Sequence, residues 1–114
     1  FRNIEIPITV MAEVSGIVYK QTENGKIPME RIYLDIYNEQ GLLAAKILSE
    51  ANGYYSYLGL PPGIFKIRPD AVQLKKLNLQ FSETELICII KSSYNGNTYP
   101  NNDFILKKIS QLVP

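Results

Sequence analysis

The chain has 114 residues, of which 46% are hydrophobic and 20% charged, as in an ordinary globular domain with one core. Its 12 basic and 11 acidic residues nearly balance and are scattered, so the sequence predicts no nucleic-acid surface. Histidine is absent and Cys88 is the single cysteine, which excludes Ser-His and Cys-His catalytic arrangements and an internal disulfide. No apolar run reaches the roughly 18 residues of a membrane-spanning helix.

From the N-terminus, residues 1–11 are predicted to be an extended lead-in or a linker from a preceding domain, and residues 12–114 a single β-sandwich domain. The run "EVSGIVYK" predicts the first strand, with Val14 and Val18 on one face. Gly16 lies between them, where a bulge or a close neighbour leaves no room for a side chain.

The run "RIYLDIYNE" has a period of two, which predicts a strand with one aliphatic and one polar-aromatic face. The aliphatic face, expected to point inward, consists of Ile32, Leu34 and Ile36. The opposite, outer face carries Tyr33, Asp35 and Tyr37.

Glycine-containing turns separate the predicted strands. Asn-Gly pairs stand at residues 24–25, 52–53 and 95–96, and type I′ hairpin turns favour this pair because both central residues need a positive φ. Gln40-Gly41 and Pro62-Gly63 add two further turn signals. Short runs rich in Ile, Val, Tyr and Leu lie between these points, a pattern typical of an all-β sandwich of about seven strands.

The stretch "GYYSYLGLPPGIFKI", residues 53–67, is predicted to be a hairpin. Tyr55 and Tyr57 share a face of its first strand, and Leu60 closes the end of the sandwich. Pro61, Pro62 and Gly63 then reverse the chain, and Phe65 and Ile67 return along the core.

The second half of the chain contains one predicted helical turn, near residues 70–77, with Asp70 as its cap. Its apolar residues at helical spacing are Ala71, Leu74 and Leu77. The run "ETELICIIK" is apolar on both faces, which predicts a central strand or one whose outer side another segment covers. Within it, Cys88 is interpreted as a small buried apolar residue. The tail "TYPNNDFILKKI" predicts a last strand, with Phe104 and Leu106 facing inward.

The order of these pieces resembles carboxypeptidase regulatory-like domains and the related B-type repeats of bacterial surface adhesins. The matching residues, between about 12 and 69, are Gly16, Gly41, Gly53, Tyr55, Tyr57, Leu60, Pro62, Gly63 and Phe65. The resemblance implies an Ig-like or transthyretin-like sandwich of two sheets, used as one module of a longer bacterial protein. It also implies an extracellular, cell-surface or periplasmic location.

Some adhesin B-type repeats carry an internal Lys-Asn isopeptide bond beside a buried acid. In this sequence the residues to consider are Lys20 with Asn101 or Asn102, and Asp35 or Glu30 as the acid. Uncrosslinked, solvated residues are the preferred interpretation, because Asp35 alternates onto the outer face. The turn "NNDF" holds too few oxygen donors for calcium, and the sequence predicts no metal site, cofactor or catalytic residue.

The sequence therefore favours a non-catalytic structural or interaction module of a larger exported bacterial surface protein, which positions neighbouring domains or contributes to adhesion and assembly. Its expected partners are neighbouring domains of the same polypeptide or another surface protein. Tyr33, Asp35 and Tyr37 form the candidate contact surface, although ordinary cross-strand packing is the simpler interpretation of the tyrosines. Three alternatives remain: a carbohydrate-binding module that uses the same outer tyrosines, an accessory domain of a secreted enzyme, and a pilus or outer-membrane assembly component.

Overall fold

The structure is a computed structural model and describes residues 11–83, 85–92 and 97–109. The strands are β1 (Ala12–Thr22), β2 (Gly25–Pro28), β3 (Tyr33–Tyr37), β4 (Leu43–Leu48), β5 (Tyr54–Leu60), β6 (Gly63–Pro69), β7 (Leu79–Phe81), β8 (Leu86–Ile90), β9 (Thr98–Tyr99) and β10 (Phe104–Lys108), and the helix α1 (Ala71–Lys76) lies between β6 and β7. Among the described residues, no helix has both the length and the apolar sequence needed to span a membrane.

The strands form two sheets, as predicted for a sandwich. One sheet has six strands in the order β2-β1-β10-β7, with β5 and β9 also paired to β1. The other has four strands in the order β4-β3-β6-β8. The main strands, each of at least five residues, are β1, β3, β4, β5, β6, β8 and β10. The fold class predicted from the sequence is confirmed.

Strand β1 organises the six-stranded sheet because it is long enough to pair with two partners on each side. Its first half is antiparallel to β5 and its second half to β2. On the opposite side it runs parallel to β9 at Val14 and to β10 at Val18. The segment 100–103 interrupts this parallel strand, and its polar groups replace the missing ladder bonds: Asn102 N donates to Ser15 O at 3.0 Å and Ile17 N donates to Asp103 Oδ1 at 2.9 Å.

The core is formed by the facing rows of the two sheets. The predicted inner faces are confirmed, since Ile32, Leu34 and Ile36 of one sheet and Val14, Val18, Phe104 and Leu106 of the other are all at most 1% exposed. An aromatic cluster joins the strands: the Phe104 ring centroid lies 5.9 Å from that of Tyr55 and 5.0 Å from that of Phe81. Cys88 is buried at 4% exposure, and burial raises the pKa of its thiol.

The stretch "GYYSYLGLPPGIFKI" folds as an arch, which corrects the predicted hairpin. β5 pairs with β1 in one sheet, whereas β6 pairs with β3 and β8 in the other, so Pro61 and Pro62 carry the chain across the sandwich. The predicted burial is confirmed, with Tyr55, Leu60 and Phe65 exposed by 1%, 1% and 5%. Two strands that face each other across the core therefore supply the side chains that were expected to be hairpin neighbours.

The Asn-Gly pairs also behave differently from the type I′ prediction. Gly25 and Gly53 have positive φ of 115° and 79°, but neither Asn24 nor Asn52 has a positive φ. The β1–β2 hairpin turns at Glu23 and Asn24, with Thr22 paired to Gly25. The pair at 52–53 connects β4 to β5 in the other sheet, and the pair at 95–96 lies outside the described residues. The type I′ assignment is therefore wrong at both described positions.

Helix α1 fulfils the prediction of a capped turn. Asp70 Oδ1 accepts hydrogen bonds from Val72 N and Gln73 N at 2.9 and 3.3 Å. The Gln73 side chain then ties the helix to the start of β3, donating to Arg31 O and accepting from Tyr33 N. Of the three expected apolar residues only Leu74 is buried, whereas Ala71 and Leu77 are exposed.

Strand β8 lies at an edge of the four-stranded sheet and pairs with β6 only, within the part of the chain that the structure describes. Among the described strands it therefore has an edge position, not the central one that the sequence suggested. Ile87 and Ile89 point away from the core and are 60% and 57% exposed. The remaining possibility, that another segment covers this strand, stays a prediction.

Candidate interaction surface

The predicted contact residues lie together on the side of the four-stranded sheet that faces away from the core, here called the outer face. Cross-strand pairing brings Lys46 of β4 and Arg68 of β6 opposite Asp35, and Lys66 of β6 opposite Tyr37. On β6 and β8, the outer face ends in an apolar patch formed by Ile64, Ile87 and Ile89, in which Ile64 of β6 pairs with Ile89 of β8. The outer face therefore combines a charged, aromatic half with an apolar half.

Lys46 lies at the centre of the charged half. Its Nζ donates to Asp35 Oδ1 at 2.7 Å and to Asp70 Oδ2 at 3.1 Å, and it lies 5.3 Å from the centroid of the Tyr33 ring. The hydrogen bond to Asp35 raises the pKa of Lys46, and desolvation opposes this only in part. The hydrogen bond from Lys46 in turn lowers the pKa of Asp70. Both shifts favour the charged forms of Lys46 and Asp70.

A second group of charges surrounds Tyr37. The Arg68 guanidinium lies 4.5 Å from the centroid of the Tyr37 ring, in cation–π contact. Glu85 forms ion pairs with both cationic residues of β6: Lys66 Nζ lies 3.6 Å from Glu85 Oε2, and Arg68 Nε lies 3.1 Å from Glu85 Oε1. The Arg68 Nε contact is an ion pair without the alignment of a hydrogen bond, because this buried nitrogen has no hydrogen-bond acceptor among the described residues.

The structure thus places Tyr33, Asp35 and Tyr37 on one face, with Tyr33 39% exposed and the other two partly buried. Sequence reasoning missed the charged residues around them, which lie on β4, on β6 and just before β8, namely Lys46, Lys66, Arg68 and Glu85. Lys46 could have been found by pairing "YLDIY" with "LAAKIL" about the turn at Gly41, which sets the register of a hairpin. To find Lys66, Arg68 and Glu85 one needs the sheet order, which local patterns do not contain.

Asp70 has two functions, and its replacement separates them. We expect Asp70→Asn to keep the helix cap and Asp70→Ala to lose it. In urea unfolding at pH 7, Asp70→Ala should therefore be less stable than Asp70→Asn by about 1 kcal/mol.

The ion pair of Asp70 with Lys46 predicts a pH dependence. Because the pKa of Asp70 is lowered in the folded state, its ionisation stabilises the fold above the unfolded pKa. This stability is lost as the pH falls through the lower, folded pKa. Asp70→Asn should therefore show a shallower acid destabilisation than the parent below about pH 4. Equal pH profiles for the two proteins would contradict the pairing with Lys46.

The residues considered for an isopeptide bond lie apart. Lys20 pairs with Leu106, whereas the backbone of Asn102 bonds to Ser15, an offset of about four residues or roughly 13 Å along the strand. The Asn102 side chain donates to Tyr99 O at 2.7 Å. Asp35 is on the outer face, bonded to Lys46, and Glu30 is exposed. No group of three or more His, Cys, Asp or Glu side chains suited to a metal occurs in the described ranges.

A cleft of about 460 Å³ opens between the β3–β4 turn and the arch from β5 to β6. Its lining includes Glu39, Tyr57, Leu60, Pro61, Pro62 and Phe65. Glu39 is the one carboxylate that lines it, and its Oε1 accepts from Ile64 N at 3.3 Å. Glycosidase chemistry needs two carboxylates, so the arch borders a groove without that catalytic pair.

Two facing sheets and a long β1 paired in parallel with β10 form a β-sandwich whose fold is similar to that of pilin domains in solved structures. No protein-family model matches the sequence, and no curated protein matches it. Solved structures do match over most of its length, at identities that establish the fold alone.

The minor pilin GBS52 of Streptococcus agalactiae aligns with a TM-score of 0.72 and 17% identity, over 94% of this chain and 49% of that protein. The TIE protein of Bacillus anthracis aligns with a TM-score of 0.62 and 21% identity, over 87% of this chain and 18% of that one. A shaft pilin of Lactobacillus rhamnosus aligns with a TM-score of 0.60 and 12% identity, over 88% and 51%. The chain thus spans about half or less of these larger proteins.

Proposed function

We propose that this domain is a non-catalytic structural module of a larger exported bacterial surface protein, and that its outer face docks a neighbouring domain of the same polypeptide. One observation carries the proposal. The same face of the four-stranded sheet presents both the Tyr33–Asp35–Tyr37 group and the apolar patch Ile64–Ile87–Ile89. The likeness to pilins, which are surface proteins larger than this domain, supports it.

The chemistry of the outer face suits contact with a protein. Its tyrosines present large, rigid rings, which bury much area with little loss of side-chain entropy. The ion pairs hold Lys46 and Arg68 beside those rings, so the surface is arranged before a partner arrives. The three isoleucines provide the apolar area that a contact between domains removes from water.

Hydrogen exchange tests the proposal. In the full-length parent protein, peptides that span 33–37 and 63–69 should exchange more slowly than in the isolated 114-residue chain. Tyr37→Ala should remove most of this difference, since a central aromatic residue typically contributes about 1–2 kcal/mol to a contact, or roughly tenfold.

Tyr19→Ala is the matched control. Tyr19 also holds a lysine over its ring, Lys26 at 4.8 Å, but it lies in the six-stranded sheet. We expect this variant to leave the protection of the outer face unchanged. Equal exchange in the parent protein and the isolated chain would refute docking on this face.

The alternative of a carbohydrate-binding module has less support, because both candidate stacking rings already hold a cation, Lys46 at Tyr33 and Arg68 at Tyr37. Glycan-array binding that disappears in a Tyr33→Ala, Tyr37→Ala variant would establish it. The accessory-domain alternative predicts a catalytic domain elsewhere in the parent chain. The carboxypeptidase regulatory-like assignment and a periplasmic location likewise remain predictions.

A further inference from the structure

Strand β8 is an edge that a soluble protein would not normally leave open. Its sequence, "LICII", contains no charge and no proline, the two devices that usually prevent an edge from pairing with other chains. The opposite edge strand, β4, carries Lys46. Ile87 and Ile89 are more than half exposed, and β6 is the one strand partner of β8 in the described ranges. Both the backbone and the side chains of β8 therefore favour a further strand.

The start of the described chain lies beside the end of β8. Lys91, which follows β8, accepts a hydrogen bond at its carbonyl from the Asn97 side chain at 2.8 Å. The backbone carbonyl of Asn97 accepts in turn from Glu13 N at 2.9 Å, at the start of β1. Lys91 N also donates to Tyr99 Oη at 3.0 Å, and β9 is paired with β1. The residues before Met11 therefore reach the domain at the end of the open edge.

Residues 1–10 have the sequence of a strand. Ile4, Ile6, Ile8 and Val10 alternate with Asn3, Glu5, Pro7 and Thr9, a strict period of two. Ten extended residues span about 33 Å, whereas the five residues of β8 span about 17 Å, so the segment is long enough to run the length of β8 and still turn into β1. Both run toward the Lys91 end, which makes the pairing parallel.

We propose that residues 4–8 of the same chain pair with β8 as a fifth strand of the four-stranded sheet, parallel to β8. The position of Pro7 fits this arrangement, because a proline within an edge strand is tolerated where its missing N–H points away from the neighbouring strand. In residues 4–8, the backbone N–H groups of even-numbered residues then bond to β8, and the backbone nitrogens of odd-numbered residues face away from it. The addition closes the bare edge with a strand whose own free side is protected by Pro7. This proposal is independent of any docking partner.

Amide exchange in the 114-residue chain, followed by NMR, tests the proposal. The alternate β8 amides that point away from β6 should exchange slowly, and Ile6→Pro should speed them by roughly tenfold or more, because it removes a bonding N–H. Glu5→Pro is the matched control, since the Glu5 N–H, like the ring nitrogen of Pro7, would face away from β8, and its loss should leave the β8 amides slow. Core amides such as that of Leu34 report whether each variant remains folded.

A second measurement needs no substitution. In the isotope-labelled 114-residue chain, nuclear Overhauser contacts should connect residues 4–8 with Leu86–Ile90, and their intensity should not change with protein concentration. Absence of these contacts, or equally fast exchange of the β8 amides in the unsubstituted chain and the Ile6→Pro variant, would overturn the proposal. Protection that rises with concentration would also overturn it, because a second copy would then be the occupant.

Discussion

Replacement of Gly16 by alanine is expected to destabilise the domain by roughly 3 kcal/mol, as measured by urea unfolding. A Cβ at this position would lie 2.2 Å from the backbone carbonyl oxygen of Asn102 and 3.0 Å from the Tyr55 ring. The oxygen cannot move easily, because Tyr55 Oη donates to it and Asn102 N is bonded to Ser15 O. The methyl group would therefore force β1 away from the segment that joins β9 to β10.

Gly41→Ala provides the control for this effect. Gly41 has a φ of +79°, but a Cβ added there would meet no atom within 4 Å, so its replacement tests backbone strain alone, about 1 kcal/mol. Gly16 has no positive φ, so its replacement tests the steric contact alone. If Gly16→Ala proved no more destabilising than Gly41→Ala, the close approach of Asn102 would be contradicted.

The elements that were predicted correctly are those in which one face is buried along the whole strand. Burial of Leu34 and Ile36 in β3, and of Ile32 just before it, fixes the register, since a shift by one residue would place Tyr33 and Asp35 in the core. The same holds for Val14 and Val18 in β1. For these strands the local pattern and the tertiary structure carry the same information.

The arch at Pro61 and Pro62 could not be distinguished from a hairpin by its sequence. Both arrangements reverse the chain and both bury Tyr55, Leu60 and Phe65, so they give the same alternation of apolar residues. They differ in whether the two strands exchange hydrogen bonds, which depends on β1 and β3 as competing partners. Hairpin prediction from turn residues fails here because it considers the two adjacent strands alone.

The sequence predicted the residues of the candidate surface that lie on β3, but not the charged residues around them. The alternation in "YLDIY" suffices to bring Tyr33, Asp35 and Tyr37 to one face. Lys46 and Arg68, which contact these residues, come from other strands, and Glu85, which pairs with Arg68, lies far along the chain, immediately before β8. The bonds of Asn102 and Asp103 to β1 are likewise long-range, with sequence separations of 87 and 86. Such contacts follow from the sheet order and leave no local signal.

Phe104→Ala is expected to be the most damaging substitution in the core, with a loss of about 3–5 kcal/mol of unfolding free energy. Phe104 is fully buried, pairs with Val18 of β1, and contacts the rings of both Tyr55 and Phe81. Its removal would leave a cavity at the point where the last strand joins the six-stranded sheet, and the rigid neighbouring strands could close it only in part. A domain of this size should lose more than roughly 10 °C in Tm by calorimetry.

Ile27→Ala is the matched control, because Ile27 lies on β2 of the same sheet and is 48% exposed. Its replacement should change the unfolding free energy by less than about 0.5 kcal/mol. Comparison of the two variants separates loss of the buried aromatic cluster from a general loss of strand propensity. If Phe104→Ala unfolded within about 1 kcal/mol of Ile27→Ala, β10 would not be anchored in the core as described, and the parallel pairing of β1 with the last strand would have to be revised.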